Sequence, residues 1–267
     1  MQKLFLIPLL FLFSCHTIYK PSISVVPDIR QKGEAEISGG VTYYHKEDSF
    51  FGTLIPGIFG YTSHSPFQHW LAGISGNYLQ HRYNERGNFN KFSELSPFVG
   101  YYNTLPNDSL IAFQLTGGTG FGQGRVYSMY SGLSSEYQNG NILKGNYING
   151  YLQPSIQLYS RRKILVNTFS LRINMIHYYH AVMQRIDWNT NIINGVNGGY
   201  KRYELLFEPD YTFRVNAKHV SFYTQLLISL ESNIQQVSFE NHILNLFFGI
   251  TLNLNKNWNL HKKPVTY

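Results

Sequence analysis

Apolar and polar residues alternate along most of this chain with a period of two, the mark of strands whose successive side chains point to opposite faces. In Glu34 to Tyr44, Ala35, Ile37, Val41 and Tyr43 share one face, while Glu34, Glu36, Ser38 and Thr42 share the other. The last such stretch, His242 to Asn255, sets Leu244, Leu246, Phe248, Ile250, Leu252 and Leu254 in an unbroken apolar row, backed by Asn245, Gly249, Thr251 and Asn253. Between these two the pattern predicts further strands at Gly52–Ser63, Trp70–His81, Phe92–Tyr102, Ser109–Tyr127, Tyr147–Tyr159, Ile164–His180, Tyr203–Val215 and Val220–Glu231. The total is even, as in single-chain bacterial barrels.

A soluble sandwich also alternates, so the connections carry the distinction. His64–His69, Asn103–Asp108, Ser160–Lys163 and Asn216–His219 are short links, whereas Arg82–Lys91, Ser128–Asn146 and Ala181–Arg202 are long. Short links interleaved with long ones match the periplasmic turns and outer loops of outer-membrane barrels, and place both termini on the periplasmic side. The expected fold is all-β: a single antiparallel up-and-down transmembrane β-barrel of about ten strands.

Composition agrees. Charged residues make up 14% of the chain, against roughly 25% in ordinary soluble domains, while it holds 21 Tyr and 19 Phe. Few charges and many rings suit a surface that meets lipid. Beyond the first residues no apolar run is long enough for a membrane helix, so a chain that spans must do so as a closed barrel.

The first residues read as an export signal: Met1-Gln2-Lys3 is a basic start, Leu4 to Phe13 an apolar core, and Ser14 a small residue at a cleavage point. Leu12-Phe13-Ser14-Cys15 resembles the lipobox of bacterial lipoproteins, although Phe13 stands where a smaller residue is usual. The resemblance implies diacylglycerol on the Cys15 thiol and an acylated amine, a stable anchor. Ordinary secretory cleavage near Ser14 is the alternative, with Cys15 a bystander. The expected organisation is a lipoprotein signal peptide at 1–14, an acylated N-terminus and periplasmic tether at 15–32, the barrel at 33–255 and a periplasmic tail at 256–267. The sequence leaves open whether the tether enters the lumen. Cys15 is the sole cysteine, so disulfides play no part. The formal charge of +7 falls by one when Lys3 is removed. An exported chain meets no cytoplasmic nucleic acid, and the basic excess points to anionic lipid, polysaccharide or solubility. Apart from the covalent lipid on Cys15, no cofactor is expected.

Parity also sorts the candidate chemistry. Gly118, Gly120, Gly122 and Gly124 resemble a phosphate loop only superficially: neither G-x-G-x-x-G nor G-x-x-x-x-G-K-S/T fits, and no helix pattern follows. They share the parity of Gln114 and Thr116, which turns them to the lumen to permit curvature or leave room for neighbours. Glu34, Glu36, Glu94, Arg172, Glu204, Glu208, Asp210, Arg214 and Glu231 fall on the lumen side as well. Centring the loop between the seventh and eighth strands sets Arg172 opposite Asp210 with Glu208 close by. Arg172, Glu208, Asp210 and Arg214 are thus the expected ion-pair cluster, whose simplest role is to fill a small barrel.

A catalytic alternative would use His177, His180, Asp187 and Glu204 at the outer rim. Ten-stranded outer-membrane proteases hold acid and histidine groups there, but their motifs are absent. His64 and His69 lack the close pairing of a zinc site, and no metal is expected. Tyr43, Tyr44, Tyr78, Tyr101, Tyr102, Tyr178 and Tyr179 fall near strand ends, where interfacial aromatic belts form.

Several segments carry a wider resemblance: Lys32-Gly33-Glu34-Ala35-Glu36-Ile37, Ser65-Pro66-Phe67-Gln68-His69-Trp70, Gly100-Tyr101-Tyr102, Leu152-Gln153-Pro154-Ser155-Ile156, Phe169-Ser170-Leu171-Arg172-Ile173 and Phe207-Glu208-Pro209. With the lipobox they resemble the small outer-membrane β-barrel lipoproteins of Bacteroides-type bacteria. The resemblance implies architecture and supports Arg172 and Glu208 as lumen positions; it brings no catalytic residue. The expected role is non-enzymatic, envelope-structural or surface-binding through long outer loops. Expected partners are outer-membrane lipids, with lipopolysaccharide or an extracellular ligand at the loops. The alternatives are a rim hydrolase of lipid A or peptides, a narrow channel, and a soluble lipoprotein sandwich.

Overall fold

Backbone pairing closes the predicted strands into a ring in the computed structural model, which describes residues 22–45, 54–82, 89–104, 110–131, 138–187, 193–217, 219–231 and 244–254. The strands are β1 (Ala35–His45), β2 (Leu54–Phe67), β3 (Trp70–Arg82), β4 (Phe89–Thr104), β5 (Ile111–Ser131), β6 (Gln138–Tyr159), β7 (Leu165–Asp187), β8 (Ile193–Asn216), β9 (Val220–Ile228), β10 (Leu230–Glu231) and β11 (Leu244–Leu254). Each pairs antiparallel with its neighbours, and β1 meets β11 to close the ring, with Gly39 opposite both Gly60 and Ile250. β9 and β10 lie in one register on β8, Leu227 against Asp210 and Leu230 against Phe207, so they are halves of one strand interrupted at Ser229. The fold is a closed ten-stranded up-and-down barrel.

Its wall is inverted relative to a soluble protein. Ile58, Val99, Met175 and Phe222 are more than half exposed on the outside, while Glu36, Asn174, Glu208, Thr251 and Asn253 are buried within. Period-two alternation produces this directly, because each strand sends every second side chain inward. One mouth carries the links at 68–69, 105–110, 160–164 and 217–219, those expected to be short; it is called the short-turn mouth below, and its opposite the long-loop mouth.

Two of the expected long loops are mostly strand. β5 and β6 stay paired out to Ser131 against Gln138, and β7 and β8 to Ile186 against Ile193. The β5–β6 ribbon continues past Lys91–Arg125, where β4 last pairs with β5. β6 stays paired with β7 as well, out to Asn139 against Asp187, so four strands continue through stretches whose weak alternation reads as loop.

The aromatic pairs split across the wall. Tyr101 and Tyr78 face outward, and Tyr101 joins exposed Trp70 and Phe67 at the short-turn mouth. Tyr102 and Tyr178 point inward, where the Tyr102 hydroxyl lies 2.9 Å from Ser65 Oγ and Tyr178 donates to Glu204 at 2.8 Å. Adjacent residues on a strand cannot both reach the lipid interface, so only one of each pair joins a belt.

The β5 glycines line the lumen and serve packing. A Cβ on Gly118 would lie 2.7 Å from the Tyr151 ring, one on Gly120 would meet Asn149 and Glu94, and one on Gly122 would strike Tyr147. Tyr147 is fully buried, stacks on Phe92 and donates to Glu94 at 2.6 Å, so it has nowhere to retreat. Gly122→Ala should therefore lower stability by about 1–3 kcal/mol. Gly150→Ala, whose Cβ meets nothing within 4 Å, should be neutral or slightly stabilising. The temperature at which each variant loses its compact band in detergent gels checks this, and equal behaviour of the two would refute it.

Candidate functional site: the strand inside the lumen

Ser22 to Ile29 of the tether lie inside the barrel. Ser22 to Ile29 are buried one after another, and Arg30 reaches the short-turn mouth. The segment is extended but has no sheet partner. Its backbone polar groups still need partners in so enclosed a place, and lumen side chains supply them.

At the mouth, the Arg30 amide donates to Glu34 Oε2 at 2.7 Å and the Asp28 amide to Glu36 Oε1 at 3.1 Å. Further in, Gln157 donates to Pro27 O at 3.1 Å, Arg214 to Val26 O at 3.0 Å and Gln153 to Val25 O at 3.4 Å. Gln225 acts as a one-residue sheet neighbour: its Oε1 accepts from the Ser24 amide at 3.2 Å and its Nε2 donates to Ser24 O at 2.9 Å. Highest along the lumen, Arg172 donates to Ser22 O at 2.8 Å and to Ile23 O at 3.2 Å. Pro27 has no N–H and could not serve in a ladder; here it needs only an acceptor's partner.

The segment's side chains divide by parity too. Ile23, Val25 and Ile29 pack with Phe59, Tyr61, Leu71, Phe98, Tyr102, Tyr223, Leu227 and Phe247, the apolar part of the inner wall. Ser24 Oγ donates to Asp210 Oδ2 at 2.5 Å. Asp28 accepts from Tyr159 and Asn216, each at 2.9 Å, and pairs with Arg30, whose guanidinium lies 3.8 Å from the Tyr159 ring centroid. Burying Ile23, Val25, Val26 and Ile29 contributes roughly 6–12 kcal/mol. Fixing the segment's backbone costs a comparable ~9–18 kcal/mol, so the polar contacts decide whether it stays.

The four expected cluster residues are all in the lumen, but paired differently. Arg172 stands opposite Glu208, and Nε donates to Glu208 Oε2 at 2.6 Å with both side chains buried. Asp210 lies opposite Ser170 and serves Ser24 and Gln225 instead. The β7–β8 ladder runs out to Ile186 and Ile193, inside the stretch that reads as loop, so centring on that loop misplaces the partner; the irregularities between Tyr178 and Met183 change the register by only one residue. Arg214 crosses the lumen to Glu36 on β1 at 3.1 Å and donates to the Tyr61 hydroxyl at 3.2 Å. Gln153, Gln157 and Gln225 are site residues that the sequence reading does not name, and Glu36, placed in the lumen by parity, gains its partners Arg214 and the Asp28 amide only here. Their signal was the Ser22–Arg30 alternation, which asks for partners.

The rim constellation is not brought together. His177 lies on the outer face, stacked on the exposed Tyr203 ring at 4.4 Å, while Glu204 faces the lumen. His180 and Asp187 belong to β7, but their side chains lie outside the described residues, as does Cys15. His64 and His69 each set Nδ1 near a backbone carbonyl at the short-turn mouth, Glu34 O and Tyr102 O.

No protein-family model matches the chain, and no curated protein matches it. Among solved structures it is similar to the translocator domain of the autotransporter NalP from Neisseria meningitidis, with 8% identity over 86% of this chain and 90% of that one and a TM-score of 0.45. It is also similar to a bacterial polysaccharide outer membrane secretin, with 11% identity over 85% of this chain and all of that one and a TM-score of 0.24. The architecture rests on the chain's own strand order: a closed antiparallel barrel around an internal strand.

Proposed function

We propose that the protein is a self-plugged outer-membrane β-barrel lipoprotein, non-enzymatic, that serves the envelope as a structural or surface-binding element through its long-loop mouth. The observation that carries this reading is the lumen strand. A ring with an apolar outside and polar inside suits a bilayer, and a lumen filled by the chain's own Ser22–Arg30 leaves the loops and outer wall as the places to meet partners.

The plug also bears on the anchor. It runs from Arg30 at the short-turn mouth to Ser22 beside Arg172, level with the upper part of the outward apolar row Leu165 to Met175 on β7. Ser22 to Ile29 are enclosed by the wall. In this proposal the chain ahead of Ser22 leaves by the long-loop mouth. From Ser22 back to Cys15 an extended chain reaches up to ~23 Å, enough to clear an apolar band of about 25 Å that the plug has already partly crossed. The acyl chains then join the outer leaflet, and the lipid is no longer redundant with the barrel: it holds the plug in place.

Thiol labelling of intact cells with an impermeant maleimide tests this. Thr17→Cys should label like Ser134→Cys in the long-loop region, while Asn107→Cys, at a short turn, should label only after the outer membrane is opened. Thr17→Cys following Asn107→Cys would overturn the threading; failure of the two controls to differ would overturn the barrel's placement. Turnover of lipid A or peptide by the purified protein, abolished in His180→Ala, would overturn the non-enzymatic reading.

A further inference from the structure

Three cations stand side by side on the outer wall near the long-loop mouth. Lys91 on β4 is the cross-strand partner of Arg125 on β5, and Arg125 is the partner of Lys144 on β6. All three share the outward parity of their strands. Like charges placed directly opposite repel across a sheet, and an anion seated on the row would offset that repulsion.

The rows beneath show which anion. Two residues toward the short-turn mouth on the same strands stand Ser93, Gln123 and Asn146, again cross-strand partners; two further stand Leu95, Phe121 and Ile148, all lipid-facing and exposed. The wall thus passes from apolar to amide or hydroxyl to cationic within ~13 Å of strand. That is the order of acyl chain, headgroup linkage and phosphate in a lipid. Between the upper rows lies a concavity of about 250 Å³ lined by Lys91, Gln123, Gly124, Arg125, Lys144, Gly145 and Asn146. Lys91 also places Nζ 5.9 Å from the Tyr78 ring centroid. The flanking cross-strand partners are Gln80 on β3 and Val182 on β7.

We infer that Lys91, Arg125 and Lys144 form a binding site for the phosphate of an outer-leaflet lipid whose acyl chains lie on Leu95, Phe121 and Ile148. This rests on the outer-membrane reading above and names a partner for the wall of that barrel. Lysine and arginine suit the task, one as a point charge and the other as a planar fork.

The full-length protein in neutral detergent, titrated with diphosphoryl lipid A, tests the site by change in intrinsic fluorescence. Lys91→Gln/Arg125→Gln/Lys144→Gln should weaken binding roughly tenfold or more, and added salt should weaken wild-type binding much more than the variant's. Dephosphorylated lipid A should bind the wild type as weakly as diphosphoryl lipid A binds the variant. Equal affinity of wild type and variant would overturn the inference, and so would inorganic phosphate competing at the same concentration as the lipid. A heat-modifiable band from both proteins shows that each is a folded barrel; its absence in the wild type would sink the outer-membrane reading itself, whereas its presence with unchanged binding sinks only this site. Should the triple variant lack that band, Lys144→Gln alone, at the exposed end of the row, supplies the comparison.

Discussion

Arg172→Met should destabilise the folded barrel by about 3–5 kcal/mol, the cost of leaving a buried charge without its partner. Arg172 is 2% exposed and Glu208 is fully buried; removing the guanidinium takes the cation from a buried carboxylate that Ser229 Oγ also contacts, at 3.1 Å. The same substitution releases Ser22 O and Ile23 O from their donor, so the plug loses its uppermost attachment. Arg172→Met/Glu208→Gln removes both charges, and an amide can still accept from Ser229. The double variant should therefore recover at least half of the loss. Urea unfolding in lipid vesicles, followed by tryptophan fluorescence, gives both values. A single variant as stable as the wild type, or a double variant no better than the single, would show that the pair is not the buried charge couple described.

The contrast between Arg172 and its expected partner shows where sequence reasoning stops. Which residues face the lumen follows from period two, and Arg172, Glu208, Asp210 and Arg214 all do face it. Which of them touch depends on strand register: the β7–β8 ladder runs out to Ile186 and Ile193, so its centre is not the middle of the stretch that reads as loop, and the partner is Glu208 instead of Asp210. Arg214 reaches Glu36 only because the sheet closes on itself, bringing β1 and β8 across a narrow lumen. The plug hid for another reason. Ser22-Ile23-Ser24-Val25 alternates as plainly as any strand, but a stretch that follows a lipobox reads as a tether, and whether it enters the lumen is not written in its pattern. A lone strand satisfied by Gln153, Gln157 and Gln225 side chains has no partner strand to search for. The cation row was concealed in turn by Lys144, which falls within a stretch that reads as loop; once β6 extends through it, its register with Arg125 and Lys91 is fixed.

Replacing Ser22–Ile29 by a Gly-Ser linker of equal length should turn a silent barrel into a conducting one. The plug occupies the lumen axis, and the walls around it are Arg172, Glu208, Asp210, Arg214, Glu36 and glutamines that now bond to its backbone. Without it those groups need other partners, and a polar space of that kind fills with water. A ring of this size is otherwise packed by its own side chains, so the width gained is about that of one extended chain. Planar-bilayer recording should show steps for the linker variant and none for the wild type, at equal amounts of protein verified as heat-modifiable. If the linker variant does not fold, Gln225→Ala, which removes both bonds to Ser24, should give intermittent openings with the barrel intact. Steady conductance in the wild type would mean that the plug does not seal. A folded, silent linker variant would mean that the wall alone closes the lumen, and the strand's role would then reduce to carrying the amino-terminal part of the chain through it.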